Sequence, residues 1–174
     1  YLNCHTSGVI YSDLATYYAH NGMGGLVGTD AAGNGDSLYF YRCSTECQID
    51  IINGGKNCHI GGLLGDSSNG GNIFIYDCVA NLTNSVSNAW NSASSASVAC
   101  FESRYSICLE NFVYNMKTIS ELKENSGPLL GYYTGVTIQS LKNCYGMGVI
   151  ETGGTDYTLH TVCGQGTART VDGN

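Results

Sequence analysis

Gly24-Gly25-Leu26-Val27-Gly28, Gly33-Asn34-Gly35, then Leu38-Tyr39-Phe40-Tyr41-Arg42-Cys43: a glycine box, a Gly/Asn turn and a short apolar run closed by cysteine. The order returns as Gly61-Gly62-Leu63-Leu64-Gly65, Asn69-Gly70-Gly71, then Ile73-Phe74-Ile75-Tyr76-Asp77-Cys78. Cys43 to Cys78 is 35 residues and Gly25 to Gly62 is 37. Self-similarity at roughly 20–50 residues marks stacked units, none of which can bury its apolar face alone. The expected fold is an all-β solenoid, a parallel β-helix-like body forming a single domain over residues 1–174.

Within each unit, Phe40 and Ile75 lie three residues before the cysteine, and Leu38 and Ile73 lie five before. Alternate residues share a face in a strand, and the aromatic and β-branched content favours strands here. A third box, Gly127-Pro128-Leu129-Leu130-Gly131, precedes Thr137–Cys144, and a degenerate copy is expected between, in Ser97-Val98-Ala99-Cys100 with Tyr105-Ser106-Ile107-Cys108. Aligned on cysteines, the repeats run 4–43, 44–78, 79–108 and 109–144, with a partial copy over 145–174. Residues 81–97 read as an Asn/Ser-rich loop insertion carrying Trp90. Met116 to Asn125 reads as one short helix, capped by Thr118 or Ser120 and ended by Gly127-Pro128.

Charge narrows the partners. Seven Lys and Arg against 14 acidic residues give a net charge of −7. Nucleic acid needs a basic footprint and an anionic membrane surface needs the same, so neither is an expected partner. No apolar run approaches the roughly 18 residues of a membrane-spanning helix, so membrane insertion is not expected. The chain opens on Tyr1 rather than Met, with no signal-like segment, which predicts a processed protein or an excised module.

Nine cysteines, Cys4, Cys43, Cys47, Cys58, Cys78, Cys100, Cys108, Cys144 and Cys163, lack the paired Cys-x-x-Cys spacing of a structural zinc site. They read as disulfide candidates in an oxidising compartment, with the odd one free, capped or bonded to another chain. Equivalent residues of stacked parallel coils lie about 4.8 Å apart, inside the Cα window for a disulfide. Cys43 with Cys78, and Cys108 with Cys144, are therefore candidate bridges, with buried free thiols as the alternative. The same geometry sets Arg42 beside Asp77. Asn81-Leu82-Thr83 is a glycosylation sequon, placing Asn81 on the surface of a secreted glycoprotein.

The glycine boxes at 24–28 and 61–65 resemble the GLUG motif of bacterial and protist surface proteins. Asn143-Cys144-Tyr145-Gly146-Met147-Gly148-Val149 resembles the Asn-Cys-Tyr-x-x-Gly-Val segment that punctuates those repeats, and Lys117–Lys123 is similar to a Thr-x-x-Glu-Leu-Lys insert near their ends. The resemblance covers roughly residues 1–80 and 115–165. It implies an extracellular or cell-surface β-solenoid in adhesin-like proteins, with no shared catalytic residues. The chain departs from that family in its many cysteines and its Asn/Ser-rich stretch.

No catalytic constellation emerges. His5, His20, His59 and His160 form no metal-ligand spacing, and there is no nucleophile elbow, phosphate loop or dinucleotide fingerprint. Cys58-His59 could pair as thiolate and base, but a structural role before the glycine box is the expectation. Glu46 and Asp50 would share a strand face, about 13 Å apart and too far for glycosidase chemistry without a bend. Asp30, Asn34 and Asp36 crowd oxygen ligands into one turn, a weak calcium candidate without EF-hand spacing. No cofactor is expected. Tyr is abundant, at 13 residues, and exposed Tyr suits sugar or protein contacts. The expected function is a non-enzymatic, extracellular structural or adhesive repeat protein. It would pair with itself head to tail in a filament or surface appendage, or with neighbouring modules. The alternatives are a glycan-binding module, with Trp90 as a candidate ligand contact, and a polysaccharide-degrading enzyme.

Overall fold

A computed structural model of the chain describes residues 1–13, 21–30, 35–52, 58–67, 71–86, 94–96, 99–101, 106–119, 127, 129–133 and 137–151. The described residues are all β, with no helix. The strands are β1 (His5–Asp13), β2 (Asn21–Gly24), β3 (Val27–Asp30), β4 (Ser37–Tyr41), β5 (Ser44–Ile52), β6 (Cys58–Gly61), β7 (Leu64–Ser67), β8 (Asn72–Val86), β9 (Ser94–Ala96), β10 (Ala99–Phe101), β11 (Ser106–Ile119), β12 (Leu130–Tyr133) and β13 (Thr137–Glu151).

They form three parallel sheets. The largest has six strands in the order β1-β5-β8-β11-β13, with β4 also paired to β8; the others run β12-β10-β7-β3 and β2-β6-β9. Each sheet therefore gains strands in chain order, about one per sequence repeat. Parallel neighbours need a long crossover, and here the other two sheets lie along that crossover. The glycine boxes are equivalent, as the repeat demands: Val27 pairs with Leu64, Leu64 with Ala99, and Ala99 with Leu130. Ala99 is the centre of the degenerate copy, so that expectation holds for the second sheet.

The boxes are corners between the two short-stranded sheets. Gly25-Leu26 joins β2 to β3 and Gly62-Leu63 joins β6 to β7, with Leu26 N donating to Leu63 O at 3.1 Å and Gly25 N to Gly62 O at 3.2 Å. Close approach explains the glycines. A Cβ on Gly65 would run into Met23 N and Gly28 O, and one on Gly24 into Val27 O and Gly65 N. Leu63, Leu64 and the equivalent Leu129 and Leu130 turn inward from these corners, all 2% exposed or less.

Those leucines meet the inner face of the large sheet. Phe40, Ile75, Leu109 and Leu141 stack there in register, as do Ile73 and Ile107. A second apolar cluster of Cys47, Ile49, Ile51, Leu82 and Ile60 joins β5 and β8 to β6.

Strand alternation alone puts Cys43 on the face opposite Phe40, yet both are buried. A left-handed residue before the cysteine reconciles them. Asn3, Arg42, Asp77, Asn111 and Asn143 all have φ of 50–56°, and they mark one bend in each successive strand of the large sheet. Each bend adds a second outward residue in a row and so resets the alternation.

Three expectations change. Phe112, not Cys108, pairs with both Cys78 and Cys144, so the third repeat boundary moves four residues on, and Cys108 faces Phe74 and Ser140 instead. Asn81–Val86 and Ser94–Ala96 are strand, so the loop insertion is shorter than its composition suggests; Trp90 lies outside the described residues. Met116–Ile119 belongs to β11 rather than a helix, and residues 120–125 lie outside the described residues. Arg42 does stand beside Asp77 in register, but the two side chains form no ion pair. It donates to Tyr41 Oη at 3.0 Å and lies over that ring, while Asp77 accepts from Asn111.

The corner geometry is testable. Gly65→Ala should lower unfolding stability by about 3 kcal/mol, the upper range for overpacking against parts that cannot move aside. Urea denaturation of the variant beside the parent chain checks this, and an unchanged midpoint would refute the close-packed corner.

Candidate functional site

The bends bring the cysteines into one column. Ser44 pairs with His5 and Val79 with Ser44, so Cys4, Cys43 and Cys78 follow one another on adjacent strands, and Phe112 and Cys144 continue the line. Each thiol of this column turns back to the carbonyl two residues earlier. Cys4 Sγ donates to Leu2 O at 3.6 Å, Cys43 to Tyr41 O at 3.4 Å, Cys78 to Tyr76 O at 3.1 Å and Cys144 to Lys142 O at 3.5 Å. A small, buried, weak donor suits a bend that leaves carbonyls pointing inward.

Cys4, Cys43, Cys47, Cys78, Cys108 and Cys144 are free thiols in this structure. Cys43 and Cys78 nevertheless sit as the sequence suggested, in register, with Cys43 N donating to Cys78 Sγ at 3.3 Å. Cys47 has Leu82 and Gly8 beside it in register, not another thiol. Cys108 lies on the outer face near Tyr76 Oη (3.5 Å) and Glu110 Oε1 (3.8 Å). Its contact with Tyr76, with burial second, pushes that phenol up to about 12. The Ser140 hydroxyl, and Lys142 after it, hold the Glu110 carboxyl below its usual range. Cys58 lies in β6 and Cys100 in β10; their side chains, and all of Cys163, lie outside the described residues.

A cleft of about 620 Å³ opens on the outer face of the large sheet. Two columns line it: Ser7, Glu46, Asn81 and Asn115, then Val9, Gln48, Thr83 and Lys117. Period-2 alternation puts these side chains outward while Cys47, Leu82 and Met116 between them point to the core. The set offers amide, hydroxyl, carboxylate and ammonium groups. Asn81 is exposed, as the sequon requires, and it sits mid-strand inside this cleft. A glycan attached there and a ligand bound there would compete for the same space.

Glu46 and Asp50 do share the outer face. Asp50 is held by Gln48 Nε2 at 2.6 Å and by the Ser85 hydroxyl at 2.7 Å, which fixes it as a strand-to-strand acceptor. His59 is wholly buried in β6, its Nδ1 3.1 Å from Asp66 Oδ1 in β7, which ties the two short-stranded sheets together behind the glycine corner. Nothing in the sequence signals its pairing with Asp66, which stands opposite Thr29 in register rather than opposite Asp30. Of the calcium candidates, Asp36 is an exposed residue whose carbonyl accepts from Asn72 N at 2.9 Å. The Asp30 side chain and all of Asn34 lie outside the described residues. Among the described residues no group of three or more His, Cys, Asp or Glu is placed to hold a metal ion. Tyr1, Tyr11, Tyr39 and Tyr145 are more than half exposed.

No family model, curated protein or solved structure matches the chain.

Burial pushes the Cys78 thiol up to about 11, and it raises that of Cys144 as well. At pH 8 roughly one Cys78 in a thousand is then thiolate, and the fraction rises about tenfold per pH unit until pH nears 11. On the reduced native protein, iodoacetamide should label half-buried Cys4 well before Cys78 at pH 8, with Cys78 accelerating as pH rises. Peptide mass spectrometry at timed points checks this, and equal labelling at pH 8 would refute the buried column.

Proposed function

We propose that this chain is a non-enzymatic extracellular repeat protein whose units coil into a β-solenoid and stack end to end, in a filament or surface appendage. The observation that carries the reading is a difference in burial between inner and outer strands. Ile49 is 0% exposed at the centre of the large sheet, and its register neighbour Ile10 on β1 is 37% exposed. Cys43 and Cys78 are buried, while Cys4 and Cys144 on the two end strands are only half-buried. Among the described residues, both edges of the large sheet therefore carry core residues without a covering strand beyond them.

Open edges of parallel sheets template further strands, and a head-to-tail contact that does not close generates a filament. Three further features support the reading. Three parallel sheets that grow in chain order suit a solenoid, the glycine boxes resemble those of GLUG surface proteins, and nine cysteines with low charge suit an oxidising exterior. The five described levels of the large sheet, at about 4.8 Å each, would advance a fibre by at least roughly 24 Å per copy. Negative-stain electron microscopy of concentrated protein should show fibres with such an axial repeat. Monodisperse monomers at high concentration would sink the reading.

The cleft on the outer sheet face favours a second reading, a glycan-binding adhesive module, because its amide and hydroxyl columns suit sugar hydroxyls. Double substitution Gln48→Ala and Asn115→Ala should then weaken oligosaccharide binding at least tenfold on a glycan array, with folding unchanged by circular dichroism. An array blank for the parent chain would remove this reading. Polysaccharide cleavage is the least supported, since Asp50 is already committed to Gln48 and Ser85.

A further inference from the structure

We infer that β13 of one copy docks in register on β1 of the next, and that Cys144 forms a disulfide with Cys4 across that joint. The inference rests on the end-to-end reading above and adds its register, polarity and covalent lock.

Three observations converge on one alignment. The first is the thiol column itself. Phe112 separates Cys144 from Cys78, so among the described residues Cys144 has no thiol on its register neighbour. Cys4, Cys43 and Cys78 are three in a row, and three thiols make only one bridge. Among the described thiols of one copy, the column can thus be oxidised only in part. Stacking Cys4 of the next copy beyond Cys144 completes it, with Cys43–Cys78 inside the copy and Cys144–Cys4 across the joint.

The second is the polarity of the outward amides. Asn143 Nδ2 donates to Asn111 Oδ1 at 3.0 Å, and Asn111 Nδ2 donates to Asp77 Oδ1 at 2.8 Å. Each later strand gives its N–H to the one before. Continued by one strand, the same row would have Asn143 Oδ1 accept from Asn3, which holds the same left-handed position just before β1 and carries an amide that can donate. The alignment that joins Asn143 to Asn3 also sets Cys144 against Cys4 and Tyr145 against His5.

The third is burial. Ile10 on β1, exposed at 37%, and half-buried Cys4 and Cys144 become interior once the joint closes. Adjacent parallel strands place equivalent Cα atoms about 4.8 Å apart, within the roughly 4.4–6.8 Å a disulfide spans. In the bond-forming step two thiols lose two protons and two electrons to a small-molecule disulfide such as oxidised glutathione, which departs as two thiols.

The test incubates the full 174-residue chain in a glutathione redox buffer, followed by non-reducing electrophoresis and peptide mapping. The parent chain should give a ladder of covalent multimers containing the Cys4–Cys144 peptide pair. Cys4→Ser or Cys144→Ser alone should lower these multimers at least tenfold. Mixing the two variants should yield a covalent dimer and nothing longer, because each supplies one half of a single joint. Multimers that persist in either variant, Cys4–Cys4 or Cys144–Cys144 peptides, or no dimer in the mixture would overturn the inference. Microscopy of the same samples separates the two levels: fibres without the Cys4–Cys144 bond sink the joint chemistry alone, and monomers throughout sink the end-to-end reading too.

Discussion

One backbone state, repeated once per strand of the large sheet, organises this protein. A residue with a side chain costs about 1–2 kcal/mol in the left-handed region, and Asn and Asp tolerate it best. Asn3, Asp77, Asn111 and Asn143 follow that preference, and Arg42 is the departure. The cost is offset by what the bend permits. It turns the following cysteine or Phe112 inward, so both halves of each long strand bury apolar side chains against the short-stranded sheets. It also aligns the Asp77 carboxylate and the Asn111 and Asn143 amides into a hydrogen-bonded row.

The cysteines take their meaning from that bend. Position after position, the thiol fills a narrow interior column and caps a carbonyl two residues back. That is a structural role for a reduced thiol, sufficient to explain Cys43 and Cys78 without a bridge. The same column, read along its length, is also a line of potential bridges at strand spacing. The two roles exclude each other at any one thiol, since a disulfide sulfur has no proton to donate. Redox state would then choose between a hydrogen-bonded column and a stapled one.

The outer face follows a different logic. Small and polar side chains at alternate positions leave a shallow cleft over four neighbouring strands, and the glycine corners lie on the far side of the core. Chemistry open to a partner is thus concentrated on the long sheet and its two edges, while His59 and Asp66 remain a buried tie between the short sheets.

Much of the architecture was legible in the sequence. The glycine boxes announced equivalent corners, and even the degenerate copy fell in its place at Ala99 and Cys100, because a corner where backbones nearly touch excludes larger residues. The cysteine alignment failed at Cys108, since Phe112 fills the column there and identity gave way to volume. The helix over Met116–Asn125 was drawn from local charge and capping; β11 overrode it in Met116–Ile119 by pairing with β8 and β13. The bends were visible only as Asn or Asp before cysteine, a pattern that means little until strands are stacked. Periodicity along one chain fixes which residues recur. Register between strands decides which of them touch, and so the thiol column, the amide row, the outer cleft and the two open edges belong to the tertiary structure alone.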